Sequence, residues 1–290
     1  MRSFRVLVNP ASGGGKALDR VKPVAQQLRD RGADVQVVVS LGLDHSVEEV
    51  GVAAALGQTV VACGGDGMVA SVAGAVIARD ADFGIIPSGR GNDFARQLGL
   101  VDAKPETTAR TLLEGTATPV DVITVGERVV LGSVYAGVDS LASEIVDRAH
   151  RLPGALQYPY AAVRSLLTYQ PTTYSLTVDD TEVSLDAFSI VIANSGYYGK
   201  GMHVAPSAVV DDGVLDVVVI PKASRLTLIR LMPKIYDGSH VDVPQVRTFR
   251  GRSVTISSTG DVVAYGDGER LTELPVTAKV APGALRVLVP

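Results

Sequence analysis

Val60-Val61-Ala62-Cys63-Gly64-Gly65-Asp66-Gly67-Met68 is an apolar run that breaks into glycine and leads into the small-residue stretch 68–79, which has helical character. An unbroken apolar run of strand length suits a strand buried on both faces, the habit of parallel sheets. The glycines let backbone approach a ligand closely. The N-terminus of the following helix offers unpaired N–H groups and a partial positive charge. Together they make a cradle for an anion, phosphate in particular. Asp66 inside it is chemically odd, because a carboxylate repels phosphate. The oddity resolves if Asp66 works through Mg2+ or an ordered water. A tight turn with a capping aspartate is the plainer alternative.

The same rhythm extends outward from this stretch. Residues 4–8, 35–39, 59–63 and 83–86 read as strands, and 18–31, 46–56 and 68–79 as helices, with Gly32 and Gly57 suited to close two of them. Strand-helix alternation with wholly apolar strands predicts a parallel sheet covered on both faces. Two more glycine turns follow strands, Asn9-Pro10-Ala11-Ser12-Gly13-Gly14-Gly15-Lys16 and Pro87-Ser88-Gly89-Arg90-Gly91-Asn92-Asp93-Phe94-Ala95. Both sit at strand C-terminal ends, where open parallel sheets bind ligands. The first lacks P-loop spacing. Lys16 is placed to meet a phosphate or simply solvent. Gly65-x-Gly67-x-x-Ala70 satisfies a dinucleotide fingerprint, but the next strand ends Ile86-Pro87-Ser88-Gly89 without the required acid, which demotes that reading.

Near residue 120 the rhythm changes. Residues 129–134, 174–178, 187–193, 215–220, 253–257, 262–265 and 285–289 read as strands separated by Gly, Asp-Asp and Pro turns. Helical stretches at 140–150, 158–169 and 226–236 interrupt them. The expectation is α/β plus β: an N-terminal parallel-sheet α/β domain over 1–122 and an antiparallel β-sandwich over 123–282. Residues 283–290 form a last strand able to return to the first domain.

Composition narrows the function. The 290 residues carry 27 Lys+Arg against 31 Asp+Glu, a net charge of −4, which argues against a general nucleic-acid binder. Cys63, the one cysteine, excludes an internal disulfide and a Cys-rich zinc site. The content of 46% hydrophobic and 20% charged residues excludes wholesale disorder. Residues 1–8 turn into Asn9-Pro10 before a signal-peptide core forms, and no apolar run reaches the ~18–20 residues of a spanning helix. A cytoplasmic protein is expected.

The motifs Asn9-Pro10-x-Ser12-Gly13, Gly64-Gly65-Asp66-Gly67, Gly89-x-Gly91-Asn92-Asp93-Phe94-Ala95, Asp211-Asp212-Gly213-x-Leu215-Asp216, Asp267-Gly268-Glu269 and Pro282-Gly283-Ala284-Leu285-Arg286-Val287 run nearly end to end. In this set the chain resembles the diacylglycerol kinase catalytic family, in particular its soluble bacterial lipid kinases. The resemblance implies a nucleotide-binding domain like that of NAD kinases and phosphofructokinases, a β-sandwich, and transfer of the γ-phosphate of Mg·ATP to a lipid hydroxyl between them. Diacylglycerol is the default acceptor. A sphingoid base or monoacylglycerol is the alternative. An NAD kinase-type small-molecule kinase ranks lower, because its Leu-Gly-Phe-Leu stretch is absent. A non-catalytic sensor is opposed by retention of Asp66 and Glu269.

By position, the resemblance makes Glu269 the general base, with Asp66 at the catalytic centre. It puts Asn9, Pro10, Ser12, Gly13, Ser40, Gly64, Gly65, Asp66, Gly67, Met68, Ser71, Arg90 and Asn92 around ATP. Asp212, with main-chain carbonyls at Val209 and Val214, would hold a structural Mg2+, and Asp121 would join its water network. The implied partners are ATP and a lipid met by peripheral contact at the inner face of the membrane, with a homodimer left open. Met68 and Arg90 stand where the family usually has threonine, and Ser40 where threonine is frequent. Read alone, Asp267-Gly268-Glu269 and Asp211-Asp212-Gly213 are ordinary surface turns.

His45, His150, His203 and His240 share no metal spacing and read as structural or surface residues. Residues 222–234 hold Lys222, Arg225, Arg230 and Lys234, no acid, and a leucine-rich face. Such a helix suits an anionic lipid surface or a solvated place on the core. Tyr158, Tyr160 and Tyr169 suit either an acyl-chain groove or the core.

Overall fold

The computed structural model describes residues 2–149, 152 and 154–290, apart from the side chains of 155, 158 and 159. Its first half runs β1 (Ser3–Val8), the single turn α1 (Ser12–Gly15), α2 (Ala17–Asp30), β2 (Asp34–Val39), α3 (Leu43–Ala55), β3 (Thr59–Gly64), α4 (Asp66–Ile77), β4 (Asp82–Pro87), α5 (Asp93–Gln97) and α6 (Pro105–Glu114). The strands lie parallel in the order β2-β1-β3-β4. Val8 stands beside Val39 and Cys63, and Cys63 beside Ile86, so the strands end level and their turns emerge side by side.

Both faces of this sheet are covered. α2 turns Val21, Val24, Ala25 and Leu28 inward at helical spacing, onto Phe4, Val6 and Val61. Gly32, at φ +83°, supplies the left-handed residue that ends the helix. On the other face α4 packs Val69, Val72 and Val76 on Leu7, Val60 and Phe83. Each such side chain contributes roughly 1.5–3 kcal/mol by leaving water.

The second half holds β5 (Thr116–Val125), β6 (Arg128–Val130), β7 (Ser133–Gly137), α7 (Val138–Arg148), α8 (Gly154–Thr168), β8 (Thr172–Val178) and β9 (Thr181–Ala193). It continues with β10 (Tyr197–Tyr198), β11 (Met202–His203), β12 (Leu215–Pro221), α9 (Arg225–Asp237), β13 (Arg247–Gly251), β14 (Ser253–Ser258), β15 (Val263–Gly266), β16 (Glu269–Glu273) and β17 (Val276–Val289). Antiparallel pairing dominates, and Ile123, Ile190, Val217, Ile256 and Ala278 fill the core between the layers. A second cluster packs α7, α8 and α9 on the outer face of β7, β9 and β12.

β17 ties the halves together. It pairs antiparallel with β14 and β5, and parallel with β4 at Arg286 and Val287. The register of β5 and β17 shifts between Ala281 and Leu285, at the turn holding Pro282 and Gly283. The expected boundaries at 122/123 and 282/283 fall inside β5 and β17. Among the described residues, no helix is long and apolar enough to cross a membrane.

Candidate active site

The three glycine turns nest into one another. Asn9 accepts the Ala11 N–H on its side chain, and its own N–H donates to the Cys63 carbonyl. Ser12 Oγ accepts the Gly65 N–H at 3.2 Å, joining the first turn to the second. The Ser88 N–H donates to the Gly64 carbonyl at 2.8 Å, joining the second to the third. Glycine is demanded where backbones touch. A Cβ on Gly13, whose φ is +62°, would lie 2.5 Å from the Ser88 carbonyl oxygen, and one on Gly89 would lie 2.4 Å from Gly65 Cα. Pro10 is exposed on the rim of the first turn.

Asp66 is the hinge pin of this arrangement. As the first residue of α4, it accepts the Asn92 N–H at 2.8 Å and the Asp93 N–H at 2.7 Å, one on each oxygen. Asn92 has a left-handed φ of +54° and closes the third turn by accepting the Gly89 N–H. Asp93 reaches the second half of the molecule, accepting the Lys200 and Gly201 N–H groups between β10 and β11. Burial, aided by the Asp66 charge, pushes the Asp93 carboxyl upward. Ser71 caps back onto the Gly67 carbonyl, and Ser40, at the end of β2, bonds Ser46 and the Gly42 carbonyl. Met68 fills apolar space beneath Gly64, whose added Cβ would lie 2.8 Å from Met68 Sδ, and it packs on the sheet core.

The second half supplies the acid facing these turns. Asp267, at φ +48°, accepts the Leu131, Gly132 and Ser133 N–H groups. Burial pushes its carboxyl up to about 6 against those three donors, and the Asp66 charge adds to the rise. Two residues on, exposed Glu269 opens β16, with Oε1 3.4 Å from where a Cβ on Gly67 would stand. Glu269 therefore hangs over the N-terminus of α4. Among the described residues, no three His, Cys, Asp or Glu side chains converge to hold a metal by themselves. A cation here would draw part of its shell from phosphate oxygens, main chain or water.

Arginines line a cavity of about 220 Å³ along the third turn: Arg20 from α2, Arg90 on the turn and Arg96 on α5. Arg20 donates to the Pro87 carbonyl at 2.9 Å, while the buried Nε of Arg96 has no hydrogen-bond partner. Asp102 also lines it, and the excess of cations that remains favours an anion. Arg20, Arg96, Asp93 and Asp267 were not assigned from the sequence. Asp93 and Asp267 stand in the quoted motifs, but their partners lie about a hundred residues away.

The expected metal loop is built around two acids. Asp121 is buried on β5 and accepts the Gly213 and Gly283 N–H groups, so it fastens the 211–214 turn to the 282–283 turn. Asp212 accepts the Val214 N–H and pairs closely with Arg250, which also reaches Asp216 at 3.3 Å. Val209 is exposed beside it.

The aromatic expectation divides. Tyr160 is exposed and bonded by Arg164, whereas Tyr169 takes the core alternative, its hydroxyl on Tyr174 and its ring on Phe188. The Tyr158 side chain and His150 lie outside the described residues. His240 is buried against the Val204 carbonyl, His203 stacks on Tyr197, and His45 lies 3.7 Å from Glu49.

Comparison with known proteins agrees with this geometry. The family described as diacylglycerol kinase catalytic domain matches residues 3–125, and the YegS C-terminal NAD kinase beta sandwich-like domain matches residues 132–289. The chain is 33% identical to a diacylglycerol kinase of Mycobacterium tuberculosis (strain H37Rv), covering 98% of this chain and 94% of that one. It is 27% identical to a protein of Chromohalobacter salexigens named "Probable lipid kinase YegS-like", covering 96% and 91%. A crystal structure of a diacylglycerol kinase from Bacillus anthracis str. Sterne superposes with a TM-score of 0.78 at 20% identity, over 100% of this chain and 97% of that one, a likeness of fold.

Proposed function

Because the chain belongs to the diacylglycerol kinase catalytic family, we propose that it transfers the γ-phosphate of ATP to the hydroxyl of a membrane lipid, with diacylglycerol as acceptor and phosphatidic acid as product. Family membership makes it a lipid kinase. The nucleotide, the acceptor and the residue roles are the substance of the proposal. The observation that carries it is the suspension of Glu269 over the α4 N-terminus, where three glycine turns meet.

In this reading the triphosphate lies along the turns of Asn9, Pro10, Ser12, Gly13, Gly64, Gly65, Gly67, Met68 and Asn92, where backbone can approach it. Ser40 and Ser71 flank the nucleotide. Arg90, with Arg20 and Arg96, balances phosphate charge. Mg2+ bound with ATP supplies the neutralisation that lets phosphate approach Asp66 and Asp267. The acceptor oxygen attacks γ-phosphorus as its proton passes to the Glu269 carboxylate. The new O–P bond forms, the bond from γ-phosphorus to the bridging oxygen breaks, and ADP departs. Asp66 and Asp93 hold the third turn in register with the second half of the molecule.

The test is transfer of labelled γ-phosphate from ATP to a panel of dispersed acceptors: diacylglycerol, monoacylglycerol, a sphingoid base and NAD. Labelled phosphatidic acid as the main product is expected. Label in NAD alone, or in no lipid, would refute the proposal.

We propose in addition that a second Mg2+ binds the Asp212 carboxylate with the carbonyls of Val209 and Val214, an oxygen-only set of the kind hard cations take. Asp212 is paired with Arg250 in this structure, so Mg2+ would have to displace or share that guanidinium. Mg2+ should then stabilise the protein without ATP, by about 2.7 kcal/mol at a hundred times its Kd. Asp212→Asn should lose that increment in thermal melts. A melting temperature indifferent to Mg2+ in the parent protein would leave only the metal that travels with ATP.

A further inference from the structure

α9 is apolar on two sides. Leu228, Leu231 and Ile235 are buried on the sandwich, yet Leu226, Ile229 and Tyr236 are 57%, 54% and 57% exposed, with Met232 beside them. The spacing of three and four residues sets these four in one outward stripe. Solvent-facing helix surfaces are ordinarily polar, so the stripe lacks the cover that burial would give it. Its borders are basic. Arg225, Arg230 and Lys234 make no ion pair among the described residues, and Lys222 reaches Asp186 at 3.5 Å. The one acid of the helix is Asp237 at its C-terminal end, near Lys234, and none occurs from Lys222 to Tyr236, in a chain whose net charge is −4. Three cations outside any ion pair among the described residues, bordering an apolar stripe with one acid at the helix end, complement an anionic surface rather than another copy of this acidic chain.

Neighbouring structure agrees. α8 covers the same sheet face and exposes Leu156, Val163 and Leu167. α9 packs against β11, in the hairpin whose Lys200 and Gly201 N–H groups hold Asp93. The stripe thus lies one layer behind the loop that touches the third glycine turn.

We propose that the outer face of α9 is the surface by which the protein docks on an anionic bilayer. Leu226, Ile229, Met232 and Tyr236 enter the headgroup region, and Arg225, Arg230 and Lys234 meet lipid phosphates. This rests on the lipid-kinase reading for its purpose, but its test does not depend on turnover.

Co-sedimentation with vesicles of phosphatidylcholine alone, or with phosphatidylglycerol added, reads docking directly. Binding should need the anionic lipid and weaken with salt. Arg230→Glu with Lys234→Glu should reduce partitioning at low salt at least tenfold, since each cation near such a surface is worth about a factor of five. Both sites are exposed, and turnover of a short-chain acceptor in detergent should stay at the parent level. Ile229→Ser with Met232→Ser should weaken binding that survives at high salt. Unchanged co-sedimentation of the charge-reversal variant at low salt would overturn the proposal. So would a change in oligomeric state without a change in vesicle binding, which would make the face a protein contact. If detergent turnover were absent in the parent protein while docking behaved as stated, the catalytic reading would fail and this one would stand.

Discussion

Replacing Glu269 by alanine should lower kcat by roughly 10²–10⁴, the usual cost of removing a general base. The side chain is exposed at the start of β16 and makes no hydrogen bond or ion pair among the described residues, so its loss leaves the fold untouched. Melting temperature and ATP affinity should stay within error of the parent protein, which separates a chemical role from a structural one. Assays are best run above pH 7, where Asp267, two residues earlier and raised to about 6 by burial, keeps one protonation state. Glu269→Gln should be nearly as poor as alanine, since the amide keeps the shape but accepts no proton. Turnover within threefold of the parent in either variant would remove Glu269 from the mechanism.

The second large effect is expected where the glycine turns touch. A Cβ on Gly89 would stand 2.4 Å from Gly65 Cα and 2.9 Å from Asn92 Oδ1. The first contact is backbone against backbone, which no rotamer relieves. Gly89→Ala must therefore push the second and third turns apart, and Gly65→Val must do the same from the other side, where a Cβ lies 3.1 Å from Gly89 Cα. ATP binding by calorimetry should fall a hundredfold or more in both, with a smaller loss of thermal stability. Gly74→Ala on the same α4 is the control. A Cβ there would meet only Val129, at 3.8 Å, an ordinary contact, so ATP affinity should hold and stability should rise by about 0.5–1 kcal/mol. Normal ATP binding by Gly89→Ala would put the phosphate site elsewhere.

Local chemistry was the readable part of the sequence. Apolar runs leading into glycine-bearing turns mark β1, β3 and β4, and the level strand ends bring those turns together. Met68 was readable as a departure from threonine, but its place beneath Gly64 needed the packed sheet. Asp93 has no legible role in its motif, because its acceptor function depends on the Lys200 and Gly201 N–H groups, 107 and 108 residues away. Arg20 and Arg96 carried no signal, since isolated arginines on amphipathic helices look like solvated surface until a cavity forms between them. β10 and β11 are two residues each, too short for any periodicity to show. The outward stripe of α9 was half visible: its cations and leucine-rich face stood in the sequence, while the division of its apolar residues between core and solvent came from packing.

β17 and β5 pass through both halves without a break in hydrogen bonding beyond the bulge at residues 282–284. A cleft between two bodies joined by a loose tether can open like a jaw. A cleft crossed by two continuous paired strands opens only as far as that ribbon bends and twists, because both halves share one main-chain ladder. The ladder is interrupted only at the register shift beside Pro282 and Gly283, and there the buried Asp121 carboxylate holds the Gly283 N–H. Strain set up at one end of the ribbon would then be felt at the other, so the nucleotide side and the acceptor side of the molecule are mechanically one piece along β17.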